Sequence, residues 1–400
     1  MKITLDIIKS FPANVANRDQ SGSPKSMIMG GTYRDRHSTQ SQKYATRHFF
    51  ESKGLFQSYR SMKFHTKLAE MIGPKLNLSQ ENASKVSEVI LQKSKVNLAL
   101  AYLSKSNLEE IAEGICKLSP ETIEFLIEEG SKSKETVDSE NKSEKSKGKP
   151  KKKSADVASP EGIAKNIFDG LTHKDYVPYD AAMIAFHGRM IANENIRGFN
   201  IEAAISMMHS VSVHKSFREH DYFTAMDDFS TDPGAAHIEH AEFCGGSTMY
   251  SCCVIDVDQL RSNLEKVTDE AVKDLLEQYI IALLHTSPHG KTKTYFCSSA
   301  PSAVYITVSN EQPFNLASAF DKPIGIDNFN NPSANSNGVI SPAIDAIEAE
   351  LNANIVKMNA HHAFVGGLVV HSKYVRTTTY DTIELCDDLK SLITKALSHV

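Results

Sequence analysis

The order of its hydrophobic patterns is what most constrains this chain. Residues 2–8 alternate polar and apolar, with Ile3, Leu5 and Ile7 on one face, and read as a strand. Two more short apolar runs, 251–257 and 303–308, flank a long amphipathic helix pattern carried by Leu260, Leu264, Val267, Leu275, Leu276, Ile280 and Leu284. Between the first strand and the second lie one helix pattern near residue 40 and a long helical excursion from 62 to about 129, with Val86, Val89, Ile90, Leu108, Ile111 and Ile115 at helical spacing. Strand, helix, helical excursion, strand, helix, strand is the order that a split βαββαβ sheet with an inserted helical subdomain produces. The expected class is therefore α+β. At 400 residues and 40% hydrophobic content, the chain can bury one large elaborated core or two ordinary ones.

The connecting segments are equally informative. Residues 11–37 read as a long loop rich in Asn, Ser, Gly and Pro, with Ser38 or Thr39 as the N-cap of the helix that follows. Residues 131–153 hold nine lysines and almost nothing apolar, and are expected to be disordered or mobile. The KPKKK end is a solvated tip or a nucleic-acid patch. Helical pattern resumes near Gly162, short apolar runs follow at 181–186 and 203–213, and the tail after a loop near 328–337 mixes a helix pattern (343–358), a strand-like stretch (367–375) and a last helix. No apolar run reaches the roughly 18 residues of a bilayer span, and the N-terminal stretch lacks a signal-peptide core, so a cytoplasmic protein without membrane contact is expected.

Charge is distributed unevenly. The first 60 residues carry ten Lys/Arg against four Asp/Glu, and the remainder 34 against 45, so a polyanion would be met locally by the N-terminal part. In a helix starting near Thr39, Gln40, Lys43 and Arg47 share one face. The helix N-terminus, with Gly30 and Gly31 upstream, suits a phosphate, and Arg18, Lys25, Arg34 and Arg36 extend the cradle along a sugar-phosphate chain. A solvated helix face beside a flexible basic loop fits the same composition.

Other candidate chemistry is thinner. Asp19 and Asp35 have no second carboxylate or fixed histidine near them in sequence, which suits capping or ion-pairing better than catalysis. Among 16 histidines, His285 and His289 are separated by the helix breaker Pro288, and the HIEH run at 237–240 lacks a third ligand at a known spacing. Six cysteines without a CxxC pair give neither a zinc site nor a disulfide framework. No cofactor is expected. Residues 213–229 carry Phe217, Tyr222, Phe223 and Phe229 among charges; such aromatics stack on bases or anchor a subunit contact.

Several of these segments together resemble one family. The block NRDQSGSPKSMIMGGTYRDRHSTQSQKYATR (17–47) is similar to the NRD, K, GG, R.R, QS, KR signature of the CasC-type backbone subunit of the type I-E CRISPR Cascade complex, an antiviral ribonucleoprotein. HGRM (187–190), YFTAMDD (222–228), AEF (241–243) and KTYFCSSAPSAVYITVSNEQPFNLASAF (293–320) follow in the same order, over roughly 1–60 and 180–325.

The resemblance implies an RRM-like (ferredoxin-like) palm, a helical fingers insertion and a thumb hairpin. The corresponding segments are palm at 1–58, fingers at 59–180 with the Lys-rich stretch 131–156, palm at 181–212, thumb at 213–245, and palm with C-terminal elements at 246–400. It further implies a non-catalytic protein whose copies polymerise in a helical filament along the crRNA spacer. Each palm holds the ribose-phosphate backbone, and the neighbour's thumb displaces one nucleotide at intervals, leaving the rest free to pair with target DNA. Implied partners are crRNA, target DNA through the guide, further copies, the large, small, 5′-handle-binding and 3′-hairpin-binding Cascade subunits, and a separate nuclease. By the same resemblance Arg18, Lys25, Gln40, Lys43 and Arg47 fall on backbone-contacting positions, Met190 on an apolar position against RNA, and Phe223, with Tyr222 beside it, on the wedge. Tyr44 stands where the signature has Arg, His37 where it has an apolar residue, and Tyr222 where it has an indole. The competing reading is a backbone subunit with metal-dependent target-RNA endonuclease activity through a loop Asp, here Asp19.

Overall fold

The computed structural model describes residues 1–94, 101–139, 159–171, 177–190, 200–229, 235–264, 267–325 and 338–400. Residues 131–139, expected to be disordered or mobile, are instead the last turns of a helix, and the rest of the Lys-rich stretch, from 140 onward, lies outside the described residues. The chain divides into two compact units, one of 1–54, 204–261 and 267–400, the other of 55–203 and 262–266.

The first unit begins with β1 (Lys2–Phe11), β2 (Ser26–Met29), β3 (Thr32–His37) and α1 (Thr39–Ser52). The second unit follows with β4 (Ser58–Ser61), α2 (Phe64–Leu76), α3 (Gln80–Lys93), β5 (Ala101–Ser104), α4 (Lys105–Cys116), α5 (Pro120–Ser139), α6 (Pro160–Asp169) and α7 (Ala182–His187). The chain then continues through β6 (Ile205–Met207), β7 (Ser210–Ser212), β8 (Arg218–Met226), β9 (Ala235–Cys244), β10 (Ser247–Asp256), α8 (Val257–Asn263), α9 (Asp269–His285), β11 (Pro301–Ser309), α10 (Ile340–Lys357), β12 (Phe364–Val369), β13 (Glu384–Leu385) and α11 (Leu389–Ser398).

In the first unit, β1 is central: it pairs antiparallel with β10 along its whole length, Leu5 opposite Cys253, and on its other edge with β11, Leu5 opposite Ile306. The sheet runs β13-β12-β11-β1-β10-β7-β3-β2, with β6 also on β10. Ile3, Leu5 and Ile7 do share a face, yet the alternation does not leave the other face wet, because Thr4, Asp6 and Ile8 are buried as well. Successive strand residues point to opposite faces, and each face has its own helical cover. Ile8 packs with Tyr250, Tyr305, Phe320 and the apolar row Ala343, Ile344, Ile347 and Leu351 of α10. On the odd face Lys9 donates to the carbonyls of Leu284 (3.1 Å) and Thr286 (2.8 Å), placing a cation at the C-terminus of α9, where the helix dipole favours it. Burial pushes this ammonium down to about 8.

Two polar groups on the even face are paired within the protein. The Tyr250 hydroxyl donates to Asp6 at 2.6 Å and accepts from the Leu316 N–H at 2.7 Å. Burial raises the Asp6 carboxyl to about 7. Glu348, on α10, accepts from the Tyr305 hydroxyl at 2.7 Å and from Arg376 at 2.9 Å.

The single long helix expected over 260–284 is two. The Thr268 hydroxyl accepts from the Ala271 N–H and starts α9 afresh, with Asp269 and Glu270 in its first turn. That helix ends at His285, so Pro288 lies beyond it. Residues 11–37 are also not one loop: β2 and β3 form a hairpin, Met29 opposite Thr32. Gly30 and Gly31 occupy its two-residue turn with φ of +56° and +72°, the backbone that a twist-matched hairpin turn demands. A Cβ on Gly30 would stand 1.6 Å from the Asp321 carbonyl oxygen, whereas Gly31 faces open space.

The second unit is helical around one core, in which Leu68, Ile72, Val86, Ile90, Leu108, Ile111, Leu126, Ile163 and Phe168 interlock. Its helices carry legible starts: the Ser79, Ser104 and Ser159 hydroxyls accept from N–H groups of the first turn of α3, α4 and α6, and Pro160 sits at a position where no donor is lost. β5, which pairs antiparallel with β4, Ser104 opposite Ser58, interrupts what the periodicity reads as continuous helix from 62 to 129.

Candidate nucleic-acid interface

The basic segment is shaped by its own polar contacts. Asp19 spends one carboxylate oxygen on the Ser21 N–H (2.9 Å), the Ser21 hydroxyl (2.6 Å) and the Ser23 N–H (3.1 Å), closing a turn of the loop. These donors hold its carboxyl below the usual range, the Ser21 hydroxyl foremost. Asn17 accepts from the Ser38 N–H at 2.9 Å and so fastens the loop to the start of α1. Ser38 is the N-cap, but its hydroxyl makes no capping bond to the first turn. Arg18, between Asn17 and Asp19, is exposed.

Lys25 and Arg36 come together across the hairpin, the Arg36 N–H donating to the Lys25 carbonyl at 3.0 Å. The Arg36 guanidinium lies 3.4 Å from Nδ1 of His209, a residue that sequence reasoning did not single out. Burial, then the positive charges of Arg36 and Lys25, lower the His209 pKa, which places three basic side chains in one patch.

Arg34 has a different place. It is 0% exposed, and its guanidinium donates to Thr32 Oγ1 (2.9 Å) and to the carbonyls of Ser212 (2.9 Å), Phe320 (2.8 Å) and Asp321 (3.2 Å). Expected on the cationic surface, it is instead an internal brace, because the run TYRDRH is a strand that turns Arg34 inward rather than a loop. Asp35 beside it is also buried, accepting from Ser247 Oγ at 2.5 Å and from Ser216 Oγ, with Arg218 at 3.8 Å. Gly30 and Gly31 serve the hairpin turn and the approach to Asp321, with all of β3 between them and the helix N-terminus.

On α1, Gln40, Lys43 and Arg47 share a side as expected, but they are unequally accessible. Gln40 is exposed. Lys43 reaches back to the Ile205 carbonyl at 3.4 Å, and burial lowers its pKa. Arg47 pairs with Glu51 at 2.9 Å and lies over the Tyr44 ring, 5.5 Å from its centroid. The open surface of the helix is thus shifted toward Tyr44 and His48, which sequence reasoning noted only as a departure or not at all. The signal was present as an i, i+4 pair of ring-bearing residues following Gln40. His37, where the signature is apolar, packs edge-on to Phe11 at 5.1 Å and burial lowers it to about 4, so it occupies the position as a neutral ring.

β8 and β9 form a two-stranded hairpin outside the main sheet, Tyr222 opposite His240 and Phe223 opposite Glu239. Tyr222 is 58% and Phe223 38% exposed. Arg218 at its base bonds Glu242 at 3.3 Å. Met190 belongs to the second unit and is 82% exposed; Arg189 beside it is buried and bonded to Asn107 at 3.0 Å.

No curated protein matches the chain in sequence. Among the solved structures that share its fold are a chain of a CRISPR RNA-guided surveillance complex in a pre-nicking state, with a TM-score of 0.74 and 20% identity over 100% of this chain and 99% of that one, and a chain of a CRISPR RNA-guided surveillance complex, with a TM-score of 0.63 and 17% identity over the full length of both. The family model described as CT1975-like protein matches residues 3–393. The resemblance read from the sequence motifs is borne out at the level of family and fold: the chain belongs to the CT1975-like protein family.

Proposed function

We propose that this chain is the CasC-type, crRNA-binding backbone subunit of a type I-E Cascade complex, a cytoplasmic, non-catalytic protein that polymerises along the spacer of its guide and presents it to target DNA. The observation that carries the proposal is the basic row on the first unit, half-buried Lys25, Arg36 and His209 with exposed Arg18 alongside, on a fold shared with chains of RNA-guided surveillance complexes. Such a row neutralises phosphates without reading bases, which suits a protein that leaves sequence recognition to base pairing. An RRM-like palm is supported by the order β11-β1-β10-β7, all antiparallel, with α1 following β1 and α9 following β10. The β8–β9 hairpin with its exposed Tyr222 and Phe223 is the thumb in this reading, and the helical second unit the fingers, which then take in Met190 and the rest of 181–203 that the resemblance assigned to the palm. The non-catalytic reading is supported by Asp19, one of whose two carboxylate oxygens takes three donors and closes a turn of the loop. Titration of the purified chain with single-stranded RNA over a range of salt tests the reading. It expects affinity that falls steeply with salt, as phosphate contacts require; salt-independent or undetectable binding would count against it.

A further inference from the structure

Three rings from two separate segments meet on the surface of the first unit. Tyr44 and His48 of α1 lie parallel, 5.8 Å between centroids at 7°, and His289, from the loop after α9, stands 5.9 Å from the first and 6.2 Å from the second. None of the three is buried, and Tyr44 is 49% exposed. The rings are brought together by backbone and by small polar contacts. Thr46 of α1 meets the Thr286 hydroxyl at 3.3 Å, and the Gly290 N–H donates to the Ala16 carbonyl at 3.1 Å. A Cβ at Gly290 would come within 2.6 Å of the Val15 carbonyl oxygen. The same glycine contact docks the loop against the segment that leads into Arg18.

The surroundings are cationic. Arg47 lies over the Tyr44 ring, and the His289 loop contributes Lys291 and Lys293; the acid at hand, Glu51, is engaged by Arg47 and His48. Exposed rings gain little from water, and a planar aromatic ligand that stacks on them while its anionic backbone meets nearby cations uses both features at once.

We propose that Tyr44, His48 and His289 form a stacking platform for an unpaired nucleobase of the guide RNA, beside the phosphate-holding row; the inference rests on the function proposed above. The platform tolerates any base, because every base has a π-face.

The test uses the full-length chain with a single-stranded RNA bearing 2-aminopurine, whose fluorescence is quenched on stacking, with a DNA oligonucleotide of the same sequence as a parallel arm. Wild-type protein is expected to quench the RNA probe. Tyr44→Leu and His289→Ala should each relieve that quenching and weaken binding roughly ten-fold, while the salt slope stays at the wild-type value because no phosphate contact is lost. His289→Ala alters only a surface loop, so it decides the matter if Tyr44→Leu fails to fold. Quenching unchanged in both variants overturns the platform, as does quenching confined to the DNA probe. A wild-type chain that binds neither strand instead overturns the proposed function on which the platform rests.

Discussion

Arg34 donates to the main-chain carbonyl of Ser212 at 2.9 Å, tying β3 to the end of β7 from inside the sheet. With the Phe320 and Asp321 carbonyls on the same guanidinium, this side chain does for the fold what its neighbour Arg36 is expected to do for a phosphate. Arg34→Lys cannot reproduce the fork that reaches three carbonyls. It should lower unfolding free energy by about 3 kcal/mol in urea titrations, since charged hydrogen bonds are worth roughly 1.5–3 kcal/mol each and some would be left unmade. The salt slope for RNA should not change.

Lys25→Ala and Arg36→Ala should behave in the opposite way. Each is expected to reduce the slope of log K against log salt by about 0.7 for single-stranded RNA, with little effect on stability. A slope unchanged in both would remove these residues from the phosphate row.

The two turn glycines separate sterics from backbone preference. Gly31→Ala meets open space, and its positive φ should cost about 1 kcal/mol. Gly30→Ala places a methyl into the Asp321 carbonyl and should cost clearly more, displacing the hairpin. Thermal melts of the two variants compare them directly; equal losses would contradict the packing at Gly30.

Two buried groups predict opposite pH dependences. His37 takes a proton in the unfolded chain near 6.5 but in the native protein only at about 4, so its contribution is whole above pH 6.5 and is lost as pH falls toward 4. Asp6 keeps its proton in the native protein up to about 7 while the unfolded carboxyl ionises near 3.8, so stability declines as pH rises through that window. His37→Leu should flatten the loss on the acid side. Asp6→Asn should gain on the wild type as pH rises from 4 to 7, by a few kcal/mol at most. Urea midpoints at pH 4.5, 6 and 7.5 read both.

Much of the framework was legible in local pattern. The strand at 2–8, the helix beginning after Ser38, the helices at 162 and 343–358 and the position of the basic segment all follow from periodicity, caps and composition, which are properties of neighbouring residues. The burial of Arg34 was not, because its acceptors lie 178 and 286 positions away along the chain and nothing near TYRDRH announces them. For the same reason β1 read as one-sided: the cover over Asp6 and Ile8 comes from α10, more than 300 residues on. The ring cluster at Tyr44 was half visible, since His48 is an i+4 neighbour and His289 arrives only through the fold.

If several copies of this chain line one guide RNA, the mass of the intact assembly reads it off. When the chain is expressed with the other Cascade subunits and a CRISPR array, native mass spectrometry should find one RNA of defined length bound by several copies, with the number rising as the spacer is lengthened. A monomer free of nucleic acid, or a copy number indifferent to spacer length, would contradict the account.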